Sequence, residues 1–135
     1  MTEKKHHSKA IIRKFSYALK GFFISLKEEK SLVIHLTVAI LTLILAAILQ
    51  LSPLGWAILV LTIGLVISSE LMNTAIENVV DMVAFKYNFN AKKIKDIAAA
   101  ATLVLAIIAI AVGLLLFVPR IVTFAKFGYG YQGWM

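Results

Sequence analysis

Cysteine is absent from the 135-residue chain, so disulfides, thiolate nucleophiles and thiolate metal sites are excluded together. Proline occurs twice, and Pro53 and Pro119 each stand at the edge of a long apolar run. Charge is scarce. Only 16% of residues are charged and 61% are hydrophobic, whereas a water-soluble domain carries about a quarter charged and roughly 45–50% apolar residues. The chain has too little polar surface to cover a compact core in water. Acidic residues are scarcer still, 7 against 14 Lys+Arg, for a formal charge of +7. In a chain this apolar, the basic excess marks membrane topology rather than nucleic-acid binding. The familiar phosphate loops are also missing: there is no GxxxxGKS/T loop, no kinase-type GxGxxG, HRD or DFG set, and no Ser/His/Asp elbow. A nucleotide, if one binds, must be held through carboxylates and a divalent ion.

Long apolar runs are plentiful. Val33 to Leu51 carries no charge and is interrupted only by His35, two threonines and Gln50. Leu54 to Ser69 is uncharged and its pattern continues helically through Phe85, and a third run spans Ile97 to Val118 and stops at Pro119. A spanning helix needs about 20 apolar residues for a hydrocarbon core of roughly 30 Å. The runs therefore predict an all-α integral membrane protein with three transmembrane helices, the first two joined at Ser52-Pro53. The first 30 residues hold eight Lys/Arg and three Glu, with Ile11, Phe15, Phe22 and Leu26 on one helical face. That pattern predicts an amphipathic helix lying on the bilayer surface.

The expected organisation is 1–30 for the N-terminal tail and interfacial helix, 31–121 for the three-helix membrane domain, and 122–135 for a flexible tail. The 52–54 turn has no Lys or Arg, while the 86–95 connection has four. Basic residues stay cytoplasmic, so the N-terminus and the 84–96 loop are expected inside the cell membrane and the C-terminus outside. The run Ala98–Ala101 with Gly113 is expected to let helices pack closely.

The segment from Glu70 to Asp81 carries the chemistry. At 100° per residue, Glu77 and Asp81 each return to within about 20° of Glu70, and Asn73 and Thr74 flank the same line. Counted from Leu54, Glu70 lies roughly 24 Å across the bilayer and Glu77 about 10 Å further. The ribbon thus crosses from hydrocarbon to headgroups, where it meets a lipid hydroxyl on one side and a water-soluble reactant on the other. For Asp81, pairing with a loop lysine is an equally good reading. For Glu70 it is weaker, because an ionisable group inside the bilayer costs a few kcal/mol or more. Glu28 and Glu29 are adjacent, so at most one reaches the ribbon. Asp96 reads as a helix N-terminal residue, and Lys95 beside it reads as a phosphate contact. His35 reads as a partly buried, hydrogen-bonded histidine, and Tyr17 as an interfacial anchor.

Glu70-Leu-Met-Asn73-Thr74-Ala-Ile-Glu77-Asn-Val-Val-Asp81, followed by Ala91-Lys-Lys-Ile-Lys95-Asp96-Ile-Ala-Ala, resembles the signature of the prokaryotic diacylglycerol kinase family. Phe15-Ser-Tyr17-Ala-Leu-Lys-Gly21, Glu29 and Val112-Gly-Leu-Leu-Leu-Phe-Val-Pro119 extend the likeness over roughly residues 10–121. Asn73-Thr74 and the Phe-x-Pro ending look most like the undecaprenol kinase branch.

The resemblance implies a homotrimer with shared active sites that transfers the γ-phosphate of MgATP to a lipid alcohol, here undecaprenol, with diacylglycerol as the alternative acceptor. It implies Glu70 as catalytic base and Glu29 and Glu77 as Mg²⁺ ligands. Tyr17, Lys95 and Asp96 are then nucleotide contacts alongside Glu29 and Glu77, and Asn73 and Asp81 are supporting residues. The chain departs from the branch at Ser31 and Val33, where an amide and a basic residue are usual. A reading of another class, a small oligomeric cation or proton transporter using Glu70 and Glu77, leaves Glu29 and Lys95-Asp96 without a role.

Overall fold

The computed structural model describes residues 2–84, 86 and 88–128, with side chains from residue 11 onward. Four helices follow in order: α1 (Thr2–Glu28), α2 (Lys30–Ile48), α3 (Pro53–Val83) and α4 (Phe89–Phe127). The last three are long and apolar enough to cross a membrane, and no strand occurs among the described residues. The fold class expected from the apolar runs is the one observed.

Each boundary has a local cause. Between α1 and α2 only Glu29 leaves the helical region, with φ −109° and ψ 111°, and its N–H still donates to the Ser25 carbonyl at 2.9 Å. At the end of α2, the Leu51 N–H reaches back to Ala46 O at 3.1 Å and the Gln50 N–H to Ala47 O at 3.3 Å. That pair of bonds is a Schellman closure. It places Gln50 at φ 52°, a left-handed position that glycine fills more cheaply. Ser52 then caps α3, its Oγ accepting from the Gly55 N–H at 3.2 Å, and Pro53 occupies the first helical position, where its missing N–H costs nothing. Asn88 caps α4 by accepting from the Asn90 N–H at 2.9 Å.

α4 runs through Pro119 and ends at Gly128, whose φ is 75° and whose N–H donates to Phe124 O. The tail expected from residue 122 is therefore helical as far as Phe127. Pro119 removes a single N–H from the ladder, and the flanking residues still favour helix. Residues 129–135 of that tail lie outside the described residues.

α3 is the central helix. It packs most extensively on α4, next on α2, and touches α1 more lightly. A buried cluster of Ala46, Leu49, Leu51, Leu59 and Phe117 sits at the Ser52–Pro53 end, with Trp56 and Leu43 against it. Elsewhere large apolar side chains face outward; Leu115 is 77% exposed and Leu103 61%. In water such a surface would collapse or aggregate. In a bilayer it is a surface that lipid can cover.

The small-residue run packs less closely than expected. Ala98 alone of Ala98–Ala101 is buried, and a Cβ at Gly113 would meet nothing within 4 Å. Gly113 instead borders a groove.

Candidate active site

α3 is 31 residues long, about 46 Å at 1.5 Å per residue, and exceeds a hydrocarbon core of about 30 Å. The excess carries Glu70, Asn73, Glu77 and Asp81 away from the Ser52–Pro53 end along one side of the helix. Glu70 is the most enclosed of the acids, at 6% exposure. Its carboxylate is held from α2: the Ser31 hydroxyl donates to Oε2 at 2.9 Å, and His35 Nε2 lies 3.0 Å from Oε1. Thr74, also buried, returns its hydroxyl proton to the Glu70 backbone carbonyl at 3.0 Å.

One turn on, Asn73 Nδ2 donates to Glu77 Oε1 at 2.9 Å. The other face of that amide, Oδ1, is buried without a partner. Farther along, Lys95 Nζ donates to both oxygens of Asp81 at 2.7 and 2.9 Å. Lys95 precedes the uncharged run that begins at Ile97. Its pKa is raised, first by the hydrogen bond to Asp81; partial desolvation opposes this, and attraction to Asp81, Glu77 and Glu29 adds to it. Glu29, from the α1–α2 junction, and Glu77 and Asp81, one turn apart on α3, therefore act on one ammonium group.

The sequence-predicted residues divide. Glu70, Asn73, Glu77 and Asp81 share one ribbon; Lys95 joins it through Asp81, and Glu29 lies within electrostatic reach. For Asp81 the ion-paired reading holds. Asp96 instead borders a shallow depression of about 280 Å³ with Phe89, Lys92 and Lys93. Tyr17 stands 61% exposed on α1. Among the described residues, no three His, Asp or Glu side chains converge as a metal cluster.

A magnesium ion does not require one. It binds through one or two carboxylates and keeps water and substrate phosphates as its other ligands. Glu77, Glu29 and the orphaned Asn73 Oδ1 are all hard oxygen donors, so the residues present fit that ion.

Ser31 and His35 are the site residues that the sequence reading missed. Ser31 stood out only as a departure from a family pattern, and His35 as an ordinary satisfied histidine. The available signal was their spacing: four residues apart, they share one face of α2.

Beside Glu70 an apolar groove of about 410 Å³ runs between α2, α3 and α4. Ile34, His35 and Ile67 line it at the Glu70 end, and Leu59 and Phe117 at the other. Its two threonines on α2 and α3 are self-satisfied, Thr42 donating to Val38 O and Ala39 O, and Thr62 to Ile58 O. Among the polar side chains lining it, His35 is the one whose contact, with Glu70 Oε1 at 3.0 Å, leaves its own helix.

The profile of the prokaryotic diacylglycerol kinase family matches residues 16–117. An undecaprenol kinase of Bacillus subtilis is 36% identical over 123 residues, covering 90% of this chain and 100% of that protein. A diacylglycerol kinase of Synechocystis is 37% identical over 110 residues, covering 81% of this chain and 63% of that protein. A diacylglycerol kinase of Helicobacter pylori is 31% identical over 96 residues, covering 71% of this chain and 75% of that protein. An acidic ribbon on a central membrane helix, a buried carboxylate beside an apolar groove and a family match across the helical core agree: the chain belongs to the prokaryotic diacylglycerol kinase family and is a membrane lipid kinase.

Proposed function

We propose that this chain transfers the γ-phosphate of MgATP to the hydroxyl of undecaprenol, with Glu70 as the base. The observation that carries this reading is the placement of the Glu70 carboxylate, buried and doubly held, beside the end of an apolar groove. A chain lying in the groove brings its terminal hydroxyl to that end. Glu70 accepts the O–H proton as the alcohol oxygen attacks the γ-phosphorus, the bond from γ-phosphorus to the β,γ-bridging oxygen breaks, and ADP leaves with that electron pair. The rest of the catalysis is alignment and charge neutralisation.

Glu29 and Glu77, with Asn73 Oδ1 nearby, would hold Mg²⁺, which when bound offsets the negative charge of the phosphate oxygens against the acidic ribbon. Lys95 binds phosphate by leaving Asp81. That exchange costs little, because the Asp81 side chain is 65% exposed and water screens an exposed ion pair. Asp96 and Tyr17, which lie apart from the ribbon in this chain, enter the nucleotide site on the family resemblance alone.

Two features favour undecaprenol over diacylglycerol. The Bacillus relative is matched along its whole length. The groove also offers no free hydroxyl to the ester carbonyls of a diacylglycerol, since Thr42 and Thr62 are bonded to their own backbones. A pure hydrocarbon chain leaves nothing there unsatisfied. The relatives named diacylglycerol kinase keep that lipid as the second reading.

The basic residues favour a topology with the N-terminus and the 84–96 loop in the cytoplasm and the C-terminus outside. The extensive outward apolar surface favours an oligomer, and the family resemblance favours a homotrimer.

The test is transfer of labelled phosphate from MgATP to undecaprenol and to diacylglycerol in mixed micelles. We expect labelled undecaprenyl phosphate, with a loss of at least about 100-fold in Glu70→Gln, in line with removal of a positioned base. Label appearing chiefly in phosphatidic acid would transfer the assignment to diacylglycerol. Near-normal turnover in Glu70→Gln would remove Glu70 from the base role.

A further inference from the structure

We propose that His35, together with Ser31, is a positioning residue for Glu70, and that it sets the carboxylate's orientation toward the acceptor hydroxyl. The proposal rests on the kinase reading given above and adds residues to it.

Three observations converge on His35. Its Nε2 lies 3.0 Å from Glu70 Oε1, while Ser31 takes the other oxygen at 2.9 Å. Each carboxylate oxygen is thus engaged from the same helix, four residues apart, and the head of Glu70 is held against rotation about its last bond. His35 also lines the groove, which neither Ser31 nor Glu70 does. Among the described residues it is the groove-lining side chain whose polar atom lies within 3.0 Å of the base. Finally, His35 is partly buried, at 29% side-chain exposure, against 8% for Glu70.

The chemistry follows from the inventory of donors. A carboxylate has about four lone-pair sites, so one hydrogen bond from Ser31 and one close contact from His35 leave sites free for the alcohol proton. A long acidic side chain without such restraints samples several rotamers, and each must be frozen out in the transition state. Donors supplied by α2 perform that ordering before the lipid arrives. A misplacement of about 1 Å at a reacting group can cost about 100-fold in rate, so a loosened Glu70 would show in kcat. An imidazole nitrogen 3.0 Å from Oε1 limits where that oxygen can rest. Glutamine can present an amide N–H at a similar reach, and leucine cannot.

The experiment measures kcat and KM for lipid and for MgATP in purified, micelle-embedded wild-type protein, in H35L, H35Q and S31A, and in E70Q and E70Q/H35L. In H35L we expect kcat to fall at least about ten-fold, with KM for MgATP within about two-fold of wild type. H35Q should recover most of that loss. S31A removes a single hydroxyl and puts folding at little risk; it should lower kcat by a few-fold in the same pattern. Because His35 acts through Glu70, adding H35L to E70Q should change the residual rate by less than about two-fold. Wild-type turnover in both H35L and S31A would overturn the proposal while leaving the kinase reading intact. So would an H35L loss of equal size in the E70Q background, or a loss that H35Q does not repair. A wild-type protein that labels neither lipid would overturn the kinase reading and this proposal together.

Discussion

At the Ser52–Pro53 end of the bundle, the three long helices meet through Ala46, Leu49, Leu51, Leu59 and Phe117, all buried and all apolar. At the opposite end the same helices meet through a hydroxyl, an imidazole, three carboxylates, an amide and a lysine. The first end closes on itself, its turn made by backbone bonds and a serine cap that leave little to satisfy. The second end leaves Asn73 Oδ1 buried without a partner and spends Lys95 on an exposed carboxylate it can give up. Stability and chemistry are therefore separated along the helices. A membrane protein can afford this arrangement because lipid, being as apolar as leucine, gives no hydrophobic drive to bury the sides of the bundle. Packing can be concentrated at one end while the other keeps unsatisfied groups for substrate.

The sharpest challenge to that contrast lies at Glu77. Glu77→Gln should raise the Mg²⁺ concentration for half-maximal rate by about 10–100-fold, the range seen when metal-site partners are removed, with thermal stability unchanged. An unchanged Mg²⁺ titration would take Glu77 out of the metal site. A milder effect is expected at Asp81. Asp81→Asn frees Lys95 from an exposed, solvent-screened ion pair, so KM for MgATP should move by no more than about five-fold. A larger change, or a collapse of kcat, would make Asp81 part of the reacting centre rather than a resting partner for Lys95.

The smallest effect belongs to the other end. Gln50 sits at φ 52°, where a side chain costs about 1–2 kcal/mol and glycine returns about 0.5–1 of that as chain entropy. Gln50→Gly should raise the melting temperature slightly and leave kcat and both KM values as they were. A change in turnover would mean that the two ends are mechanically coupled and the separation is false.

Much of this was legible in residue order. The apolar runs specified the membrane helices, because crossing hydrocarbon demands an unbroken stretch of satisfied backbone. The acidic ribbon was legible because α3 is regular, and a regular helix converts spacing directly into direction. The extent of α4 was less so: Pro119 read as a stop, yet the helix absorbs it and continues to Phe127. Asp96 shows another limit. It adjoins Lys95 in sequence, but one step along a helix is a turn of 100°, and Asp96 faces a different depression.

Ser31 and His35 mark the boundary most clearly. Nothing local distinguishes a serine and a histidine near the start of an apolar helix, and their significance depends on a carboxylate 35 or more residues away. The sequence by itself determined an all-helical membrane chain and the line of acids on its central helix, because these depend on composition or on periodicity within one element, and its family through the motif it resembles. Only the tertiary structure decided that α2 brings a hydroxyl and an imidazole onto Glu70, that Lys95 rests on Asp81, and that the groove has its polar end at His35. Those facts depend on how two or three helices are rotated against one another, and rotation is set by packing between elements that no single stretch of sequence contains.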